Sequence, residues 1–233
     1  MMKLKRSKDR KVANMVTPNG KQASIANTFG LPAGKAFACP NATAFCEKIC
    51  YAGKLEKIFK GSREVLMHNW NALKDATYNE MYDMLSVMVK EFRAECEKRN
   101  APKLFRIHWD GDFFNDDYIM AWHDVILYND DVQFWVYTRV PAAAEKLTGI
   151  ANISVYFSSD PDNVETAKTL QNKGIRIAHV AKNFAEGREA INGVRCPENN
   201  KKIPLISQRG SACVSCGQCV FARNDILFSV SKK

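Results

Sequence analysis

Lys103-Leu-Phe-Arg-Ile-His108-Trp-Asp110-Gly111-Asp112-Phe-Phe114 decides the fold. A short apolar run ends abruptly in a histidine and two aspartates. A helical pattern carrying Tyr118, Ile119, Trp122, Val125 and Ile126 follows within a few residues. Residues 132–137, 153–157 and 175–180 repeat the apolar or β-branched run, and each is consistent with a buried parallel strand. Helical patterns at 116–127, 142–147 and 162–172 separate them, the last closing before Gly174, a residue type that terminates helices. Strand and helix alternate at about 20–25 residues per unit, the rhythm of βα repeats on a parallel sheet. A complete eight-fold barrel needs about 250 residues. The expectation is therefore an α/β fold with a partial or compressed (βα) barrel-like parallel sheet, and an open doubly wound sheet as the alternative.

Upstream, residues 62–100 are helical in pattern, with Val65, Leu66, Trp70 and Leu73 and then Met81, Leu85, Met88, Phe92 and Cys96 on the apolar face. A break near Ala76–Thr77 is expected, because roughly 39 unbroken residues exceed ordinary helix lengths several-fold. Residues 23–31 read as a short strand or an extended lead-in, stopped by Pro32 and Gly34. The organisation expected is a basic N-terminal arm over 1–22 and one α/β domain over 23–233, whose segment 190–233 is loop-rich and cysteine-containing.

Ligands of parallel α/β folds bind at the C-terminal ends of the strands. The ends here carry His108, Asp110 and Asp112, then Arg139, then Ser158, Ser159 and Asp160, and finally His179. His108, Asp110, Asp112, Arg139 and His179 are the candidate catalytic residues, lining a pocket for a small-molecule substrate. Gly111 would let a ligand or loop approach the backbone. Each has a plainer reading. Asp160 and Asp162 suit helix caps, as does Asp112; His179 suits a satisfied core position, and Arg139 a partner for an aspartate.

The chain has 233 residues, 46% apolar and 25% charged. Such a chain buries a core without covalent staples, so eight cysteines point to chemistry. No apolar run approaches the roughly 18–20 residues of a membrane span, and the N-terminus lacks the apolar core of a secretory signal. A cytoplasmic protein without a membrane partner is expected, and there clustered cysteines read as metal ligands. Net charge is +9, and Lys3, Lys5, Arg6, Lys8, Arg10 and Lys11 crowd the start. That arm either contacts nucleic acid or is a solvated terminus.

Seven cysteines fall in two groups. Cys213-Val-Ser-Cys216-Gly-Gln-Cys219 places three thiols at two-residue spacing, with Cys196-Pro197 upstream. The run matches three ligands of a bacterial ferredoxin cluster, and Cys-Pro its fourth; structural zinc is the alternative. Cys39, Cys46 and Cys50 form a looser group, with Tyr51 placed to shield it. Three thiolates suggest a cluster with one open iron, or one site shared between both ends of the chain. Cys96 continues the Met88–Phe92 helix face and reads as a small core residue.

Two resemblances rest on these residues. Cys-Pro…Cys…Cys-Tyr-Ala, His-Trp-Asp-Gly-Asp-Phe-Phe, Phe-Trp-Val-Tyr-Thr-Arg, Ser-Ser-Asp-Pro and the closing cysteine run resemble the bacteriophage gene product 88 family across nearly the whole chain. That resemblance implies a phage protein of the host cytoplasm and gives no reaction. More distantly, a three-cysteine loop ending in an aromatic residue, then βα units and a C-terminal cysteine cluster, is similar to radical S-adenosylmethionine enzymes with an auxiliary cluster. It implies that Cys39, Cys46 and Cys50 hold a 4Fe–4S cluster whose open iron takes the cofactor, with Tyr51 and Gly111 beside it. The spacing differs, being six and three residues rather than three and two. The expectation is an iron–sulfur protein with one or two 4Fe–4S clusters, either an oxidoreductase or radical enzyme. The alternatives are a cluster-bearing nucleic-acid-binding or redox-sensing regulator and a zinc hydrolase.

Overall fold

A computed structural model describes residues 2–231; residue 1 of the basic segment and residues 232–233 of the domain lie outside it. In chain order, β1 (Asn14–Val16) and β2 (Gln22–Ser24) form a hairpin, followed by α1 (Ala44–Ile49), α2 (Tyr51–Ile58), α3 (Lys60–Leu73) and α4 (Tyr78–Arg99). The alternating part runs β3 (Leu104–Ile107), α5 (Asp116–Leu127), β4 (Gln133–Thr138), α6 (Pro141–Leu147), β5 (Ile153–Ser159), α7 (Val164–Asn172), β6 (Arg176–Ala181) and α8 (Phe184–Ala190). The chain closes with β7 (Val194–Arg195), β8 (Ile206–Ser207), β9 (Gly210–Ser211), α9 (Ala212–Cys216) and β10 (Ile226–Ser229).

Six strands form one parallel sheet in the order β3-β4-β5-β6-β10-β7. The α/β expectation holds, and the sheet is open, with β3 and β7 at its ends. The last strand by sequence is inserted between β6 and β7. The lead-in at 27–31 runs along the outer edge of β3: the Arg106 N–H donates to the Asn27 carbonyl at 2.9 Å, and the Trp109 N–H to that of Phe29 at 2.9 Å. This covers an edge that would otherwise be open to mispairing.

The long helical pattern divides where expected. Thr77 starts α4 with a reciprocal capping box with Glu80, and Asn100 ends it in the left-handed region at φ 50°. The stretch Cys39–Gly53, expected from its sequence as a loop with one helical turn, instead holds α1 and the start of α2, with Thr43 capping α1 and the Cys50 sulfur accepting from the Gly53 N–H at the start of α2. α7 starts at Val164 rather than at 162.

Register divides the sheet into two unlike faces. Phe105, Ile107, Phe134, Val136, Ile153, Val155, Phe157 and Ile177 pack into the core under α4 to α8. Phe92 of α4 meets Phe105 at 5.0 Å and Trp122 of α5 lies 6.2 Å from it, ring centre to centre. Each such side chain contributes about 1.5–3 kcal/mol by leaving water, so this face carries the stability. The opposite face presents Arg106, Trp135, Ser154, Tyr137, Tyr156, Arg176 and Ala178 in register. No helical layer matches these residues; they lie under the cysteine-rich segment.

The basic N-terminal segment lies against the domain. Lys3, Arg6 and Lys11 pair with Glu91, Glu95 and Glu198 at 2.6, 2.9 and 2.8 Å. Leu4, Val12 and Met15 are buried.

Candidate thiol sites on the parallel sheet

The C-terminal thiols are positioned by side chains of the sheet that grip the backbone of their loop. Ser154 Oγ and Gln133 Nε2 donate to the Val220 carbonyl at 2.7 and 3.0 Å. The Tyr156 hydroxyl reaches the carbonyls of Gln218 and Asn224 at 3.2 and 2.9 Å, and Arg176 Nε that of Ala222 at 3.2 Å. Cys213 sits in α9, which Gly217 ends at φ 68°; its N–H donates to the Lys11 carbonyl at 2.9 Å. Cys196 follows β7 and donates its N–H to the Leu227 carbonyl at 2.9 Å. Burial pushes the Cys213 thiol far up, and the Cys219 and Cys196 charges add to it. Burial likewise holds Cys219 up at about 12, with Cys196 and Cys216 raising it and the Tyr137 hydroxyl and Arg106 opposing. Four thiols thus share one electrostatic neighbourhood, and all are free of disulfides.

The N-terminal thiols lie over the C-terminal ends of β3, β4 and β5. Thr43 Oγ1 donates to Asp160 at 2.5 Å and the Phe45 N–H to Asp162 at 2.8 Å, tying α1 to the end of β5. Cys46 receives a hydrogen bond from Arg139 at the end of β4, which lowers its thiol pKa against the larger opposing effect of burial. Arg139 Nη1 in turn lies 2.7 Å from Asp160. Cys39 is raised far above the usual thiol range by burial and then by Asp112. Cys50 is raised by burial and by Asp110. The Tyr51 hydroxyl donates to the Trp109 carbonyl at 3.2 Å, its side chain half exposed.

Arg106 connects the two groups. It is 8% exposed, with Nη1 2.7 Å from Asp9 and Nη2 3.5 Å from the Tyr51 hydroxyl. Its guanidinium lies 5.4 Å from the centre of the Tyr137 ring, and Tyr137 hydrogen-bonds Cys219. The buried Nε has no partner.

A family model described as "Gene product 88" matches residues 2–222. The "Gene 88 protein" of Mycobacterium phage L5 is 55% identical over 239 residues, and that of Mycobacterium phage D29 is 53% identical over 240, each covering 100% of both chains. The chain belongs to the gene product 88 family. No solved structure matches it. The first of the two resemblances drawn from the sequence is thereby shown.

In this gene product 88 family member the strand-end residues divide by role. Asp112 binds the ends of β3 and β4 together, accepting from Thr138 Oγ1 at 2.6 Å, the Arg139 N–H at 2.7 Å and the Phe113 N–H at 2.8 Å. The cap of α5 is Asn115 instead. Burial still raises Asp112 to about 6. Asp110 is buried beside Glu56 of α2, and burial with the Glu56 charge raises it to about 8. His108, at φ 57°, turns its ring into a cage of Phe29, Phe113 and Tyr118; its Nε2 lies 2.9 Å from the Tyr118 hydroxyl, and burial lowers it to about 3. His179 lies on the helix-covered face, paired in register with Leu227, its Nδ1 3.0 Å from Ser159 Oγ. Cys96 is fully buried on α4.

Gly111 accommodates a close approach, though by the chain itself. At φ 75° a Cβ there would stand 2.7 Å from both the Cβ and the carbonyl oxygen of Leu31. Gly111→Ala should therefore cost about 2–3 kcal/mol from the left-handed backbone and the forced repacking. Urea denaturation measures this, and a midpoint equal to the parent's would show that the Leu31 contact is not tight.

Arg106, Tyr137 and Glu56 were not among the residues singled out from the sequence. The one available signal was a charged residue inside the apolar strand Leu104-Phe-Arg-Ile107.

Among the described residues, no three His, Cys, Asp or Glu side chains stand close enough to hold one metal ion. Tetrahedral thiolates on a single zinc, with bonds of about 2.3 Å, would lie about 3.8 Å apart. No helix among the described residues is long and apolar enough to cross a membrane.

Proposed function

We propose that the protein carries two 4Fe–4S clusters, one on Cys196, Cys213, Cys216 and Cys219 and one on Cys39, Cys46 and Cys50. The observation that carries this reading is the sorting of seven disulfide-free thiols into a group of four and a group of three. Cationic Arg106 and Lys11 lie close enough to act on the Cys213 thiol, lowering it, and would offset thiolate charge. Burial raises the thiols of Cys39, Cys46, Cys50, Cys196, Cys213 and Cys219, so metal loading must release protons.

Iron–sulfur clusters supply one-electron transfer, with a potential set by charge and by hydrogen bonds to their sulfurs. Here Tyr137 is the residue that donates to a ligand sulfur, and Arg106 the cation that couples it to Tyr51. A group of three thiols leaves one iron without a protein ligand. That favours, as the second reading, a redox or radical enzyme that takes S-adenosylmethionine or a small substrate beside Tyr51 and Arg139. Asp110 is then the proton-exchanging group, since its raised pKa lies near neutrality.

Anaerobic purification followed by iron and sulfide analysis tests the proposal. Two clusters predict about eight irons per chain and absorption near roughly 400 nm. Cys216→Ser and Cys46→Ser should each retain about half of the iron, because each removes a ligand of one cluster only. Loss of all iron in either variant would show one shared cluster, and a colourless protein holding zinc would sink the reading. Cleavage of added S-adenosylmethionine on reduction supports the enzyme, and inertness leaves an electron carrier or sensor.

A further inference from the structure

The cationic arm expected to contact nucleic acid has three of its charges occupied by glutamates. Lys5, Lys8 and Arg10 stay exposed there, and a second set of exposed cations lies on α1 to α3. Lys48, Lys54, Lys57, Lys60 and Arg63 are exposed on α1, α2 and the first turn of α3. The carboxylates in the same stretch do not balance them: Glu56 is turned inward onto the Ala33 N–H at 2.8 Å, and Glu47 and Glu64 are outnumbered. Among these cations stand three exposed apolar side chains, Tyr51 at 54%, Ile58 at 69% and Phe59 at 55%. Phe59 sits at the kink between α2 and α3, with extended backbone at φ −110° and ψ 93°. The kink projects its ring from the corner of two helices. Solvent-facing Phe beside solvent-facing Ile is costly for a free surface and marks a binding face.

We propose that α1, α2 and the start of α3 form a binding surface for single-stranded nucleic acid, the lysines tracking the phosphates and Phe59 and Tyr51 stacking on unpaired bases. Charge selects a polyanion, and the aromatic rings interleaved with the cations select one with exposed flat faces, the combination that binds single strands without base-edge readout. The surface adjoins the Cys39–Cys50 loop, so a bound strand would pass over the N-terminal thiol group. The proposal stands on these exposed residues and is independent of what the thiols hold.

Fluorescence anisotropy with a labelled 20-nucleotide oligo(dT) and the full-length protein tests it. About four phosphate contacts give a salt slope near −2.8, so affinity should fall roughly 50-fold between about 50 and about 200 mM salt. Phe59→Ala should weaken binding at least about fivefold through lost stacking. Lys54→Glu with Lys57→Glu should weaken it further and flatten the slope. All three positions are exposed, and unchanged thermal unfolding verifies that the variants fold. Lys8→Glu, on the N-terminal segment, should bind like the parent. The proposal is overturned if oligo(dT) does not bind at low salt, or if binding ignores Phe59 and the two lysines. It is equally overturned if a duplex of the same length binds as tightly and Phe59→Ala is silent, or if the patch binds vesicles of anionic lipid in preference to the oligonucleotide.

Discussion

Arg106→Leu should lower the unfolding free energy by about 3 kcal/mol, the lower end of the range for stranding one partner of a buried ion pair. The guanidinium and the Asp9 carboxylate are 10% and 17% exposed at the side chain and 2.7 Å apart. Arg106 lies on the inner face of β3 under the cysteine-rich segment, and Asp9 Oδ1 also accepts from the Lys11 N–H at 2.9 Å. Leucine would fill much of the volume but leave the Asp9 carboxylate without its cation. It would also remove the contact to the Tyr51 hydroxyl and the cation over the Tyr137 ring. Arg106→Lys should recover only part of the loss, since a point charge cannot lie flat over Tyr137 while reaching both Asp9 and Tyr51. Asp9→Asn added to Arg106→Leu should restore stability relative to the single leucine variant, because the stranded charge is gone. Urea unfolding of the parent, Arg106→Leu, Asp9→Asn and the double variant gives the coupling energy. Strict additivity would mean that Asp9 and Arg106 do not act as a pair, and an unchanged midpoint for Arg106→Leu would mean that the inner face is wet.

The two faces of the sheet explain which parts of the molecule were legible in the chain. β3 to β6 could be read from short apolar runs separated by helical periodicity, because helices bury one face of every strand and that demand repeats. The faces themselves could not be separated. Trp135, Tyr137 and Tyr156 look as apolar as Phe134 and Val136 in a string of letters, and what covers them is a loop some sixty to ninety positions later whose grip is on backbone carbonyls. β10 was hidden for the same reason: Ile226–Ser229 is four residues long and owes its existence to parallel partners at 178–181 and 194–195. The cysteine spacing was legible as two groups, since local turns such as Gly217 fix neighbouring sulfurs. Which side chain stands between the groups depends on strand register, and a lone arginine carries no spacing motif. The strand-end histidines were visible as polar residues in costly places. Their direction was not: a positive φ turns His108 toward Tyr118, and the register with Leu227 turns His179 to the helices. α1 and the start of α2 do not stand out because Pro40, Asn41 and Gly53 interrupt the stretch and each helix is too short to show its period; Thr43 and the Cys50 sulfur start them.

Asp110→Asn should remove a fall in stability with rising pH that the parent protein shows in its metal-free form. Asp110 is 4% exposed; its Oδ1 accepts from the Gly111 N–H at 2.8 Å and its Oδ2 is buried with no partner. Glu56, 9% exposed, lies alongside and acts on Asp110 through its charge. Burial first and the Glu56 charge second push Asp110 up to about 8, against about 3.9 in an unfolded chain. The folded state therefore holds a proton that the unfolded state has released. Its contribution is complete below pH 4 and is lost as pH rises through about 8, at up to about 1.4 kcal/mol per pH unit. Asp112, raised to about 6, adds a slope of the same sign that ends lower. His108, lowered to about 3 by burial, adds one of opposite sign, because the unfolded imidazole binds protons that the folded one refuses. Both are common to parent and variant, so the difference between the two proteins isolates Asp110. Asparagine keeps the shape and cannot ionise. The variant should be the more stable at pH 8, with the gap closing toward pH 5. Glu56→Gln should act in the same direction but less, since it removes the second cause of the shift and leaves the first. Urea midpoints measured from pH 5 to 8.5 decide it: parallel curves for parent and Asp110→Asn would mean that Asp110 is solvated and its pKa is not raised on folding. That outcome would also withdraw Asp110 from the proton-exchanging role proposed beside the Cys39–Cys50 group.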